Sequence, residues 1–181
     1  MKLTIKESNE NKFVYHNSPD PNINVFIPKA IWRNQDWSAS SAEETPEFIK
    51  DEVVFAIDKK KSFFYSLPRD VPRILLNDDH KEAKNFLGLK EKVIMLLDKK
   101  DKDAIQRYSW TQYKFDKRSF ESLPTGEWAS REEVRPLAKQ TYKNPIEHLT
   151  KNGYKIIWVD NINKIAKDLI NRDVAFDGEN I

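Results

Sequence analysis

Hydrophobic residues along this chain come in short runs rather than long stripes. Phe13–Tyr15, Glu52–Ile57, Ile74–Leu76, Lys92–Leu97 and Tyr154–Val159 are brief runs, most of them rich in β-branched or aromatic side chains. Their length, bounded by polar or proline-containing turns, predicts strands. Leu3–Ile5 reads as a further short strand. Ile23, Val25 and Ile27 alternate along an extended segment that Pro28 brings to an end. Residues 104–115 (AIQRYSWTQYKF) alternate in part and read as a strand, Glu127–Ser130 as a short one, and Val134–Tyr142 as extended chain.

Helical spacing is rarer. Ile162, Ile165, Ala166 and Leu169 share one helical face. Asn144 before Pro145 predicts a capped helix that closes at Gly153. DDHKEAKNFLGL is helical in character, and SSAEETPEFIK starts like a helix, with Ser41 as cap and Glu44 three residues on. Residues 58–67 fit a helix start or a tight turn, DKKDKD at 98–103 reads as a solvated turn, and 171–181 as a loosely ordered tail. Strands and helices do not alternate regularly. The pattern therefore predicts an α+β fold with antiparallel sheets and a few flanking helices, in one domain.

Composition narrows the function classes. With 39% hydrophobic and 12% aromatic residues, the chain has the material for a core despite 33% charge. Neither GxGxxG nor GxxxxGK[ST] occurs, which excludes the glycine-rich phosphate loops. A net charge of +2 gives no strong field for nucleic acid or membrane. Without cysteine there are no disulfides or thiolate zinc sites, and His16, His80 and His148 stand far apart with no HExxH and no GxSxG nearby. The polar start and the lack of a long apolar run lead to the expectation of a soluble, cytoplasmic protein.

Three groups of residues carry possible chemistry. Trp110, Tyr113 and Phe115 lie among Lys114, Lys117 and Arg118: either a surface that stacks bases and binds phosphates, or a sheet with one aromatic core face and one solvated lysine face. In PRDVPR, Arg69 and Arg73 flank Asp70, either as a buried Arg–Asp pair that fixes a rigid loop or as an arginine offered to a phosphate. The third is an ordered set. His16 ends a strand in YHNS. Phe55-Ala56 is followed, after four residues, by Lys61-Ser62 and then Tyr65. Glu127-Trp128 opens a late strand ahead of Val134 and Leu137.

That set resembles the H-Y-E class of ADP-ribosyltransferases, the group of the poly(ADP-ribose) polymerases and diphtheria-like toxins. The resemblance spans roughly residues 13–140 in three short islands. Asn17 stands where the family has glycine, and Val54 where it has a tyrosine. The whole string, with SPDPNINVFIP and PRDVPR, also resembles a group of small bacterial and phage-type proteins of unassigned function.

The resemblance implies an ADP-ribosyltransferase-like fold, NAD as substrate and a macromolecular acceptor. By it, Glu127 stabilises the oxocarbenium-like transition state at the nicotinamide ribose. His16 bonds the adenosine ribose, with Tyr65 stacked on nicotinamide and Ser62 on its amide. Asn17 and Ser18 lie beside the ribose and amide, with Arg69 and Arg73 as phosphate candidates. The residues themselves leave other readings open: His16 anchoring a turn, Tyr65 as a core aromatic, Glu127 facing solvent. The substitutions at Asn17 and Val54 motivate an alternative on the same fold, a module that binds a nucleotide or a protein without catalysis. A nucleic-acid binder using Trp110, Tyr113 and Lys114 is the third.

Overall fold

The computed structural model describes residues 12–29, 52–124 and 126–179. The strand expected at Leu3–Ile5 and the helix start at Ser41 lie outside the described residues. The chain forms two compact units, residues 1–62 with 111–140, and residues 63–110 with 141–181. The architecture is α+β, with mainly antiparallel sheets and a few helices.

β1 (Phe13–Ser18) pairs antiparallel with β5 (Ser109–Asp116), setting His16 opposite Tyr113 and Asn17 opposite Gln112, in a sheet of order β1-β5-β8 completed by β8 (Ala138–Lys143). β2 (Val54–Ala56), β7 (Trp128–Ser130) and β6 (Glu121–Ser122) make a second antiparallel sheet in the order β2-β7-β6. Tyr15 and Ile57 exchange two backbone hydrogen bonds of 2.8 Å, which makes β1 and β2 neighbours.

Because side chains alternate across a strand, this arrangement sorts residues onto two faces. Val14, Tyr113, Phe115, Val54 and Ala56 pack on one side around Phe26, with Trp128 against them. Val53, Leu123, Ala129 and Phe55 cluster on the other. The segment after β1 differs from its expected parity. Phe26, not its isoleucine and valine neighbours, is the buried residue, while Ile27 is exposed. Phe26 bridges to Val134, and its ring meets Tyr113 and Phe115 edge-on at 5.0 and 5.1 Å. The larger aromatic surface decides which side of this irregular segment turns inward.

The second unit holds a four-stranded sheet, order β10-β3-β4-β9, built from β3 (Arg73–Leu76), β4 (Ile94–Asp98), β9 (Lys155–Val159) and β10 (Asp177–Glu179). β4 is buried throughout because clusters form on both of its sides. Ile94 and Leu96 meet Ile162, Ala166 and Leu169 of the C-terminal helix Ile162–Ile170. Met95 and Leu97 meet Phe64, Ile105 and Leu149. A strand covered on both faces reads as a continuous apolar run, as IMLL does.

Three readings are corrected in this unit. Residues 102–107 are a helix, and the strand begins only at Ser109. Asp98 accepts from the Lys100 amide at 3.2 Å and starts a 3₁₀ turn that runs into that helix, so a cap overrides the partial alternation. β9 is half-buried rather than buried, being the last strand of its sheet. The described part of the tail is ordered rather than loose: Asp177–Glu179 pairs antiparallel with β3, and Val174 and Phe176 pack on the core. The helix Pro145–Lys151 matches expectation, with the Asn144 side chain accepting from the Glu147 amide and Gly153 at φ +86° beyond its end.

Candidate functional site

His16 sits where β2 leaves a carbonyl to satisfy. Along the edge of β2 that faces away from β7, Val53 exchanges hydrogen bonds with Lys29 and Ile57 does so with Tyr15. Between them the Phe55 carbonyl meets the imidazole Nδ1 of His16 at 2.8 Å. A carbonyl only accepts, so Nδ1 carries a proton, and in the neutral ring the lone pair is then on Nε2. Phe26 packs edge-on against the ring at 4.9 Å. Burial lowers the His16 pKa, and the bond to Phe55 offsets this only in part. His16 thus ties β1 to β2, a structural task close to the turn-anchoring reading.

On the opposite face, Asn17 and Ser62 are joined. Ser62 ends the short helix α1 (Lys59–Ser62), and its carbonyl accepts from Asn17 Nδ2 at 2.8 Å. The Ser62 hydroxyl donates to the Lys59 carbonyl at 2.7 Å and accepts from Gln112 Nε2 at 3.1 Å. Gln112 Nε2 also lies 3.3 Å from Asn17 Oδ1, and Gln112 Oε1 accepts from the Lys59 ammonium at 2.6 Å. Lys59 Nζ stands 4.8 Å from the centre of the Tyr15 ring. Ser62 and Gln112 are buried at the centre of this network, while Asn17 and Lys59 at its margin are half-buried. Sequence reasoning missed Lys59 and Gln112. The available signal was a glutamine inside the buried run Trp110–Tyr113, because a polar side chain there needs partners. Ser18 is buried too, its hydroxyl accepting from the Asp20 amide at 3.2 Å to hold the turn that follows β1.

Glu127 is half-buried and directly precedes β7. Its carbonyl accepts from the Leu123 amide at 2.8 Å, which continues the β6–β7 pairing by one step. Alternation therefore gives Glu127 the face of Leu123 and Ala129, away from Trp128. That is the face of Asn17 and Lys59, and the opposite one from His16. Lys61 comes close by: a Cβ built on Gly126, at φ +75°, would stand 2.8 Å from Lys61 Nζ.

Of the remaining candidates, Tyr65, Arg69, Arg73 and Trp110 belong to the second unit, and Tyr113 and Phe115 to the first. Tyr65 is half-buried in a 3₁₀ turn (Phe64–Ser66), edge-on to Phe64 at 5.4 Å, and packs on the cluster of Phe64, Leu67 and Val71. Arg73 is buried on β3. It fixes the proline-flanked loop, though not through Asp70: its guanidinium donates to the carbonyls of Pro68 and Val71 at 3.0 and 3.1 Å. Arg69 and Asp70 are exposed. Trp110, Tyr113 and Phe115 are all buried, so the aromatic core-face reading describes them; a buried ring offers no face to a base.

The structure therefore brings Asn17 and Ser62 together, sets Glu127 on their face, and turns His16 to the other. A bonded serine, a fixed amide ladder and lysines on one helix can hold an anionic or polar ligand. Among the described residues no cluster of three or more His, Asp or Glu side chains has the arrangement of a metal site, and no helix is long and apolar enough to cross a membrane.

No curated protein and no solved structure matches the chain. One family model matches residues 15–180, a stretch that takes in His16, the β2–α1 segment, Glu127 and nearly all of the second unit. On that match, the chain belongs to the family of unknown function DUF6886.

Proposed function

We propose that the first unit is an ADP-ribosyltransferase-like nucleotide-binding module whose ligand is NAD or a close relative. One observation carries the reading. Parts of all three islands of the resemblance, far apart in sequence, lie on three neighbouring strands, β1 with His16, β2 leading into Lys61-Ser62, and β7 entered by Glu127, while Tyr65 belongs to the second unit. Adjacent strands are one condition for a common ligand site, and Asn17, Ser62 and Glu127 also share a face.

The same geometry favours binding over transfer. In the H-Y-E scheme His16 and Glu127 serve one ligand from one side, whereas alternation sends them to opposite faces here. The Ser62 hydroxyl is already committed to Lys59 and Gln112. The transfer reading keeps Glu127 as its acid, and the two readings part in one pair of measurements. Calorimetry with NAD and with ADP-ribose is expected to give saturable binding. Labelled NAD with cell lysate is expected to give no transfer and no NAD hydrolysis. Label transfer that disappears in Glu127→Gln would restore the catalytic reading. Absence of binding to both nucleotides would sink the module.

A further inference from the structure

Resting on the nucleotide reading, we infer that α1 supplies the phosphate contact, with Lys59 as the contacting cation and Gln112 as the residue that positions it. The helix carries Lys59, Lys60 and Lys61 in succession. Asp58, the acid just before them, is paired with Lys117 at 3.1 Å. Lys114 adds a further ammonium on the same face of β5, 3.5 Å from the centre of the Phe13 ring. Among the described residues the lysines of α1 and Lys114 outnumber the acids Asp58 and Glu127, although the chain as a whole is nearly neutral at +2.

Lys59 differs from its neighbours in being held. Lys60 and Lys61 are exposed, while Lys59 is half-buried, bonded to Gln112 Oε1 at 2.6 Å and set over the Tyr15 ring. Gln112 has only one workable orientation. Its Nε2 donates to Asn17 Oδ1 and Ser62 Oγ, which leaves its oxygen for the ammonium. A long lysine side chain ordinarily loses rotamer freedom when it grips a ligand. Here much of that ordering already exists in the free protein, the condition under which a cation contributes most to affinity. A pyrophosphate is the part of NAD that calls for such a point charge.

The test is titration calorimetry on the full chain with NAD, ADP-ribose and adenosine, repeated at low and high NaCl, with thermal melts as folding controls. Lys59→Ala is expected to weaken NAD and ADP-ribose by about tenfold or more and to flatten the salt dependence of their binding. Adenosine, which lacks phosphate, is expected to bind both proteins equally. Gln112→Leu keeps the charge and loses the hold, and is expected to weaken the same two ligands by a smaller factor. If Gln112→Leu fails to fold, Lys59→Ala decides alone, since it removes only a half-buried side chain. Wild-type binding of NAD with no change in Lys59→Ala overturns the inference and leaves the nucleotide reading standing. Wild-type protein that binds neither NAD nor ADP-ribose overturns that reading, and the inference with it.

Discussion

The two units bury different chemistry. In the second, the strands that meet at the sheet centre bury Ile74, Leu76, Ile94, Met95, Leu96 and Leu97, and the facing helices contribute more aliphatic side chains. In the first, aromatic rings fill one side of β1, while the other side carries the Asn17, Gln112 and Ser62 network with Lys59. Aliphatic burial is non-directional and tolerant of detail. A buried amide ladder is directional, and each member depends on the others. The first unit therefore carries an interdependent polar network beside its core, whereas an aliphatic scaffold dominates the second, even with Arg73, Lys84 and Asp98 buried in it.

The largest effect expected from this contrast is in the scaffold. Leu96→Ala on β4 removes a buried side chain that packs against the C-terminal helix. It is expected to cost about 2–5 kcal/mol, the lost transfer energy plus the cavity left behind. Urea denaturation measures it. A loss under about 1 kcal/mol would mean that the site collapses around the gap, unlike a close-packed core.

The network should respond less in magnitude but more cooperatively. Gln112→Leu removes one bond each from Lys59, Asn17 and Ser62 at once and is expected to cost about 1–3 kcal/mol, the range for buried groups that lose a partner. Asn17→Ala alone is expected to cost less, because its half-buried position admits water. In a double-mutant cycle the two changes should couple by roughly 0.5 kcal/mol or more, while Gln112→Leu and Leu96→Ala should simply add. Strict additivity of Asn17→Ala and Gln112→Leu would show that the ladder is not a unit.

The same contrast explains what was legible in the sequence. The second unit announced itself through local signals: ILL and IMLL as strands, Asn144-Pro145 as a helix start, and the face of Ile162, Ala166 and Leu169. It misled where a local cap, at Asp98, outweighed an ambiguous pattern, where β9's place at the end of its sheet left it half-buried, and where pairing of the tail with β3 depended on distant residues. The first unit was legible as strands but not as a site. His16 meets a carbonyl 39 residues away, Asn17 one 45 away, and Gln112 an amide 95 away. Nothing local in YHNS tells which side of the strand each side chain takes. Alternation separates His16 from Asn17 once β1 is placed, and that step needs the tertiary partners.

His16 offers the finest test of the comparison, because it lies in the first unit yet behaves as a structural group. Burial lowers its folded-state pKa from the usual 6.5, so the native state favours the neutral ring. Above about pH 6.5 both states are neutral there and the group makes no pH-dependent contribution. As pH falls below that value the unfolded chain binds the proton first. Stability then declines until the pH passes the lowered folded-state value, beneath which the loss stops growing. Carboxylates act elsewhere on the scale: Asp116, held at about 2 by Arg118, loses its contribution only as pH falls below 3.8. Denaturation curves between pH 5 and pH 8, roughly the range of histidine titration, isolate this imidazole from those of His80 and His148 when wild type is compared with His16→Asn. His16→Asn keeps an N–H near the Nδ1 position for the Phe55 carbonyl and cannot titrate, so it should remain close to wild type above pH 7 and lose the wild-type decline below about 6.5. His16→Ala should cost about 0.5–1.5 kcal/mol even above pH 7, through the unmet carbonyl. An Asn variant as unstable as the Ala variant would mean that the ring's packing against Phe26, rather than its bond to β2, is what fixes β1.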